Sequence, residues 1–312
     1  MLAAAAAALV HAAAAEEGGS GHYVPGTNAS FIDVLTGTPS FTYMNIPYFY
    51  DASRGASRRL QLGGVVAAGV EASVRADASL FVYEPPWKPL GASYGAAVAI
   101  PYVSMEVSGS VQPGRFARLA RSVRDTADGI GDISILPIML GWHEGDLKWG
   151  TNLTVYAPTG DFTPGRLANI GKNFWTFEPA VNISWLSTTI GVEATAFAGI
   201  DFNTRNAATD YQSGDQAYLD VTLAQHLPLL GGIAGLGANA FFYQQISGDS
   251  GSGAALGSFE GHTAGVGPVL SYIYRLGKAD LVAEAKWLPE LAVENRLKGD
   301  GLYLKLAISA AF

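Results

Sequence analysis

The residue types that most often carry out catalysis are sparse in this chain of 312 residues. A serine or threonine hydrolase needs a histidine beside its nucleophile, because the imidazole removes the hydroxyl proton. Beyond the first fifteen residues the histidines are His22, His143, His226 and His262, and none lies mid-strand beside an outward serine. There is no Cys and no pair of neighbouring histidines that would suggest a metal site. We therefore expect no enzyme, no metal and no cofactor.

Charged and aromatic residues instead recur at every second position of several long stretches. In a β-strand, alternate residues lie on the same face, so such a pattern gives each strand one polar and one apolar face. If the polar face lines the interior of a barrel, acids outnumber bases there. The predicted pore-lining residues are Glu71, Arg75, Asp77, Phe81, Tyr83, Asp132, Lys148, Glu178, Asn182, Glu193, Phe197, Asp201, Tyr218, Asp220, Tyr243, Glu284, Lys286 and Lys305.

The apolar faces have the length of a membrane crossing. Trp175 and Trp185 lie on one apolar face, ten residues apart, with only apolar residues between them on that face. At roughly 3.3 Å per residue and a tilt near 40°, they stand about 25 Å apart along the membrane normal. Strands of soluble proteins average about five or six residues. The pattern therefore indicates strands that cross a membrane with two aromatic girdles.

The composition agrees with a membrane barrel. Charged residues make up 15%, against about 25% in typical soluble domains, and the chain has 38 Gly. After residue 15 no run approaches the roughly 18 apolar residues of a membrane-spanning helix, and a closed barrel is the other structure that pairs every backbone group in lipid. A net charge of −8 argues against a nucleic-acid partner.

The fold class predicted is an all-β, antiparallel up-and-down transmembrane barrel of about twelve strands. Connections after odd-numbered strands are long and those after even-numbered strands are short, which is typical of outer-membrane barrels with both termini in the periplasm. The predicted strands are 40–52, 66–84, 92–109, 129–141, 147–158, 173–186, 189–203, 216–227, 233–247, 262–275, 279–291 and 301–312.

The two ends of the chain suggest export. Residues 1–15 are Ala-rich and resemble a signal peptide, which predicts passage through the periplasm to the outer membrane of a Gram-negative cell. The last strand ends in Phe312 and resembles the signal that the outer-membrane assembly machinery recognises. Residues 16–39 show no strand pattern, so this segment either enters the lumen as a plug or constriction, with His22, Tyr23 and Phe31 as plug candidates, or stays in the periplasm.

Several motifs resemble a known family, the outer-membrane proteins associated with the meta-pathway of phenol degradation, sometimes called SphA-like. The motifs are Gly-His-Tyr-Val-Pro-Gly at 21–26, Pro-Trp-Lys-Pro-Leu-Gly at 86–91, Asp-Gly-Ile-Gly-Asp at 128–132 and Pro-Thr-Gly-Asp-Phe at 158–162. The resemblance implies passage of hydrophobic or aromatic compounds across the outer membrane. It supplies no catalytic residues.

The predicted function is an outer-membrane channel or transporter for small hydrophobic or aromatic molecules, with outer-membrane lipids, the assembly machinery and the solute as partners. A structural or adhesive barrel without transport is the alternative. Two roles for the luminal residues also stay open. They either form a salt-bridged ladder that holds residues 16–39, or line a polar conduit with aromatic contacts from Phe81, Tyr83, Phe197, Tyr218 and Tyr243.

Overall fold

A single sheet of antiparallel strands makes up almost the whole fold. The computed structural model describes residues 17, 19–55, 59–111 and 121–312, so the predicted signal peptide at 1–15 lies outside the described residues. The strands are β1 (Ser40–Ser53), β2 (Arg59–Leu62), β3 (Val65–Glu84), β4 (Ser93–Val111), β5 (Arg121–Ile130), β6 (Ile133–Glu144), β7 (Leu147–Ala157), β8 (Thr176–Leu186), β9 (Val192–Asn203), β10 (Gln216–Leu229), β11 (Gly232–Gln245), β12 (His262–Leu276), β13 (Ala279–Glu294) and β14 (Lys298–Ala311).

The sheet closes on itself as a barrel of twelve wall strands. β1 pairs with β14 from Ser40↔Ala311 to Ser53↔Lys298, and its other edge pairs with β3. β5 and β6 both pair with β4 and follow one another along it, so they form one wall strand interrupted at Gly131 and Asp132. β2 only extends β3 as a hairpin beyond the wall. The predicted twelve-stranded antiparallel barrel is confirmed.

The connections differ at the two ends of the barrel. Ser40 and Phe312 lie together at one end, where the turns at 145–146, 230–231 and 277–278 are short, and we call this the turn end. The other end, the loop end, carries the long segments 158–175 and 246–261. The two described helical segments are the 3-10 turns Phe31–Asp33 and Pro89–Gly91, and no helix among the described residues is long and apolar enough to cross a membrane.

Two predicted loops at the loop end are shorter than expected. The strand predicted to begin at 129 begins at Arg121, because β5 continues the pairing with β4 up to Val111. The loop predicted at 292–300 is reduced to three residues, Asn295 to Leu297, because β13 and β14 extend beyond the wall. Asn295 has a φ of +55°, the left-handed conformation that such a tight turn requires.

Strands on one side of the barrel have the predicted apolar outer face. On β8, Phe177, Pro179, Val181, Ile183 and Trp185 are exposed, while the residues that alternate with them face inward. Trp175, which precedes β8, is also exposed. An apolar surface of this height is the one that lipid covers in a transmembrane barrel.

The sector made by β1, β3 and β4 reverses this arrangement. On β3, Val74, Ala76, Ala78 and Leu80 face a cavity inside the barrel, so their polar neighbours point outward. On β4, Ala99 and Val103 also face inward while Tyr102 is exposed. One sector of the barrel therefore has an apolar inner surface, which we call the apolar wall.

A cluster of buried apolar side chains closes the apolar wall at the loop end. It joins the β2–β3 hairpin, the 158–175 loop and the β13–β14 turn. Its buried members are Ala52, Leu60, Leu62, Ala67, Val70, Ala72, Val107, Leu167, Ala168 and Leu297. We call this cluster the cap.

Substitution of paired outward and inward residues on β8 tests the lipid-facing assignment. Val181 is 57% exposed and lies near the middle of the apolar band, whereas its neighbour Asn182 faces the lumen. We expect Val181→Arg to reduce the free energy of unfolding by about 2–4 kcal/mol, since a charge then meets hydrocarbon, and Asn182→Arg to cost much less. Urea unfolding in lipid vesicles measures both, and equal losses would contradict the assignment.

Candidate functional site

Residue 17 and residues 19–39, which together we call the luminal segment, cross the barrel interior from end to end. At the loop end, the side chain of Glu17 accepts hydrogen bonds from Asn206 (2.9 Å) and Thr209 (3.1 Å). Burial raises the pKa of Glu17, although these hydrogen bonds oppose the shift. At the turn end, the backbone N–H of Phe312 donates to the Pro39 carbonyl at 3.2 Å.

His22 fixes the luminal segment near the loop end. Its Nε2 lies 3.0 Å from the Asp132 carboxylate and its Nδ1 lies 2.7 Å from the Thr176 hydroxyl. The imidazole also stacks on Tyr156, with ring centroids 5.0 Å apart. Asp132, Thr176 and Tyr156 together hold the His22 ring against the inner wall.

A buried set of charges holds the middle of the luminal segment. Lys305 Nζ donates to both carboxylate oxygens of Asp33, at 2.6 and 2.8 Å. Lys286 Nζ donates to the backbone carbonyls of Gly26 (2.6 Å) and Thr27 (3.2 Å). Glu284 lies 3.5 Å from each of the two lysine ammonium groups. These residues come from β13 and β14, so the last two strands supply the cationic contacts to the middle of the luminal segment.

A second set of contacts comes from β10. The Tyr23 hydroxyl donates to the Asp220 carboxylate, and the N–H of Gly26 donates to the same carboxylate oxygen at 2.9 Å. The Tyr23 ring stacks on Tyr218 with a centroid distance of 3.7 Å. Gly26 has a φ of +85°, and a Cβ there would lie 2.3 Å from Leu288, so this turn requires glycine.

The turn end of the luminal segment is fastened through its backbone. The N–H groups of Thr36 and Gly37 donate to the Glu84 carboxylate at 2.9 and 3.1 Å. The N–H of Phe31 donates to Glu193 at 2.8 Å, and the Phe31 ring meets His226 edge-on at 5.1 Å. The plug candidates His22, Tyr23 and Phe31 therefore all contact the inner wall.

Most of the predicted pore-lining residues point inward. Most of these lie between the strand backbone and the luminal segment, which covers them. Glu178 shows the arrangement, since it is buried and accepts hydrogen bonds from Tyr156 and Tyr218, both at 2.7 Å. The inward-facing residues are Asp132, Lys148, Glu178, Asn182, Glu193, Phe197, Asp201, Tyr218, Asp220, Tyr243, Glu284, Lys286 and Lys305.

The prediction that β3 contributes polar residues to the lumen is wrong. Alternation distinguishes the two faces of a strand but does not show which face points into the barrel. On β3 the apolar face points into the barrel. The polar residues on the outside pair with one another: Arg75 Nη2 lies 2.9 Å from an Asp51 carboxylate oxygen, and Asn45 donates to Asp77. The residues whose predicted orientation is reversed are Glu71, Arg75, Asp77, Phe81 and Tyr83.

The space left open inside the barrel lies between the luminal segment and the apolar wall. A chamber of about 430 Å³ occupies the half nearer the loop end. For comparison, a cavity of roughly 150 Å³ in another protein holds one benzene molecule. The apolar side chains on its wall side are Ile46, Val74, Ala76, Ala78, Leu80, Ala99, Pro101, Val103, Met105 and Leu136.

The charged groups at the edge of the chamber are already paired. Asp132 accepts from His22 and from the N–H groups of Gly160 (2.9 Å) and Lys172 (2.7 Å). The ammonium group of Lys172 donates to Ser20. Asp132 and Lys172 therefore both have hydrogen-bond partners within the protein, and the surface that the chamber presents to a solute is mainly apolar.

The acidic and basic groups of β13 and its turn are paired as well. Glu290 accepts from Tyr50 (3.0 Å), Thr263 (3.1 Å) and the N–H of Gly299 (2.7 Å). The guanidinium of Arg296 lies over the Tyr243 ring at 4.3 Å. An uncharged guest would thus meet satisfied polar groups at the rim and hydrocarbon along the wall.

A smaller cavity of about 110 Å³, the lower cavity, follows the same wall toward the turn end. Its lining combines Met44, Val82 and Phe197 with the carboxamides of Asn152 and Asn182. The carboxamide oxygen of Asn182 is buried and has no hydrogen-bond partner among the described residues. Chamber and lower cavity together follow the length of the apolar wall.

Sequence reasoning missed the apolar wall although a signal for it exists. Phe81 and Tyr83 share a face with Asp77, and aromatic residues at the end of a strand form the girdle that faces lipid. The observed contacts agree, because Tyr83 stacks on the exposed Phe312 at 6.0 Å. On β3, the aromatic residues at the end of the strand therefore identify the outer face better than the polar residues in its middle do.

Several solved structures are similar to this chain. An outer-membrane channel of Pseudomonas putida F1, the COG4313 channel, matches with a TM-score of 0.64 at 13% identity, covering 93% of this chain and 100% of that one. The β domain of the Bordetella autotransporter BrkA has a TM-score of 0.46 at 11% identity, covering 88% and 100%. The ΔS2S3 mutant of TodX, a monoaromatic hydrocarbon channel, has 0.44 at 9%, covering 92% and 93%.

Sequence comparison identifies the family. No curated protein matches the chain. The model of one protein family, described as MetA-pathway of phenol degradation, matches residues 56–306, which is most of the barrel. Because this match spans well over half of the sequence, the chain belongs to that family.

Proposed function

We propose that this protein is an outer-membrane channel that carries small, uncharged hydrophobic or aromatic compounds through its lumen to the periplasm. The observation that carries the proposal is the chamber, which has an apolar wall and a rim of paired charges. Desolvating a charged solute there would be costly without a counter-ion, whereas an apolar solute gains from the contact. The family's link to phenol degradation supports an aromatic solute.

The proposed location follows from the lipid-facing surface and the arrangement of the ends. The loop end would face the outside of the cell, and the turn end would face the periplasm. The first and last strands of the barrel begin and end at the turn end. Export would use residues 1–15 as signal peptide. Phe312 is 67% exposed at the end of β14, where the assembly machinery would be able to reach it.

A structural or adhesive barrel is the second candidate. The observation that favours it is the luminal segment, which crosses the whole interior and leaves separate cavities rather than an open pore. A barrel filled in this way would be stable without transporting anything. The two candidates differ in whether the chamber takes up a solute.

Uptake by intact cells distinguishes the two candidates. The lipopolysaccharide leaflet slows entry of apolar molecules, so we expect cells that produce the protein to take up N-phenyl-1-naphthylamine, a neutral fluorescent aromatic compound, severalfold faster than cells with an empty vector. A charged naphthalene sulfonate should show no such gain. Equal rates for the neutral probe, with correctly folded protein in the outer membrane, would favour the structural barrel.

We also propose that the luminal segment is the constriction of the channel. Deletion of residues 18–38 removes Asp33, Tyr23 and the backbone contacts of Gly26, so the lumen should widen and fill with water. We expect single-channel conductance in planar bilayers to rise and discrimination among solutes to fall. Leu223→Ala, at a residue that is 59% exposed on the outer face of β10, serves as the control and should leave conductance nearly unchanged. If the 18–38 deletion variant folds and its conductance is unchanged, the luminal segment is not the constriction.

A further inference from the structure

Three side chains separate the chamber from the lower cavity. Asn28 of the luminal segment, Leu80 of β3 and Leu136 of β6 line both cavities, so each solute that moves along the apolar wall passes between them. We call this point the neck. We infer that passage through the neck selects solutes by size, and that Leu80 and Leu136 are the specificity-determining residues. This inference rests on the channel function proposed above.

The wall side of the neck lies where the alternation of β6 is interrupted. Ser134 and Leu136 line the chamber, whereas Ile135 between them is exposed on the outside, so Leu136 faces inward by regular alternation. Pro137 and Ile138, which follow, are both exposed, and the pairing of β6 with β4 and with β7 shifts register there. Leu136 is therefore the last inward residue before a β-bulge.

The other side of the neck is held in place by the luminal segment's own contacts. Asn28 directly follows Thr27, whose carbonyl accepts from Lys286 and whose N–H donates to Val24 at 3.1 Å. Gly26 is clamped between Asp220 and Lys286. Asn28 is therefore presented to the apolar wall by a rigid turn, and the width of the neck depends on the two leucine side chains opposite it.

The sizes of the two cavities support a selective step at this point. The chamber has about 430 Å³, whereas the lower cavity has about 110 Å³. A solute larger than a single ring can therefore occupy the chamber, but it can advance only if the leucine side chains and the carboxamide opposite them move apart. Shortening either leucine should enlarge the passage, and a bulky ring should close it.

The test uses the full-length protein in intact cells with neutral aromatic compounds of one, two and three fused rings. We expect Leu80→Ala and Leu136→Ala to raise the uptake of the three-ring compound relative to the one-ring compound severalfold. Leu80→Trp should reduce uptake of all three. Leu270, which is exposed on the outer face of β12, gives matched controls as Leu270→Ala and Leu270→Trp.

The outcomes separate the neck from the channel function itself. If cells that produce the unmodified protein take up none of the compounds faster than cells with an empty vector, the proposed function is wrong. If the unmodified protein does take them up, but the Leu80 and Leu136 variants keep its size preference, only the neck is overturned. The shift in electrophoretic mobility between heated and unheated samples reports folding, and a second narrowing variant, Leu136→Phe, replaces Leu80→Trp if the latter does not fold.

Discussion

A closed ring of twelve strands encloses more space than its own inward side chains can fill, and the organisation of this lumen depends on how that space is occupied. The luminal segment occupies most of it and supplies Asp33 to Lys305 and backbone carbonyls to Lys286. A buried ammonium without such partners costs several kcal/mol. The segment and the charged side of the barrel are therefore complementary, and neither would be stable in this arrangement without the other.

This pairing leaves the two sides of the lumen with different properties. Charged and hydrogen-bonding side chains of β8 to β14 are covered by the luminal segment, while the apolar wall of β1, β3, β4 and β6 borders the chamber. The lumen is thus polar where it is filled and apolar where it is open. A solute in the chamber would meet the hydrocarbon side chains of the wall, and the charges serve to position the luminal segment.

The sequence was sufficient for the barrel but not for the position of the open space. Strand length, alternation on β8 and β9 and the short turns follow from local patterns, so twelve strands and most of their bounds could be predicted. On β3 the same alternation was assigned the wrong way round, because the choice between inside and outside depends on contacts with Ile46, Leu136 and the luminal segment, which are remote in sequence. The neck depends on the approach of Asn28, Leu80 and Leu136, which lie in three segments remote in sequence.

The path of the luminal segment also restricts the order in which the molecule can assemble. The segment leads directly into β1, which meets β14 along a seam that runs from Ser40↔Ala311 to Ser53↔Lys298. If that seam closed first, Glu17 and some twenty residues behind it would have to thread the finished ring from the turn end. Laying the segment against β8 to β13 before β14 joins β1 requires no threading. The luminal segment is thus best placed as a template, around which the barrel is then closed.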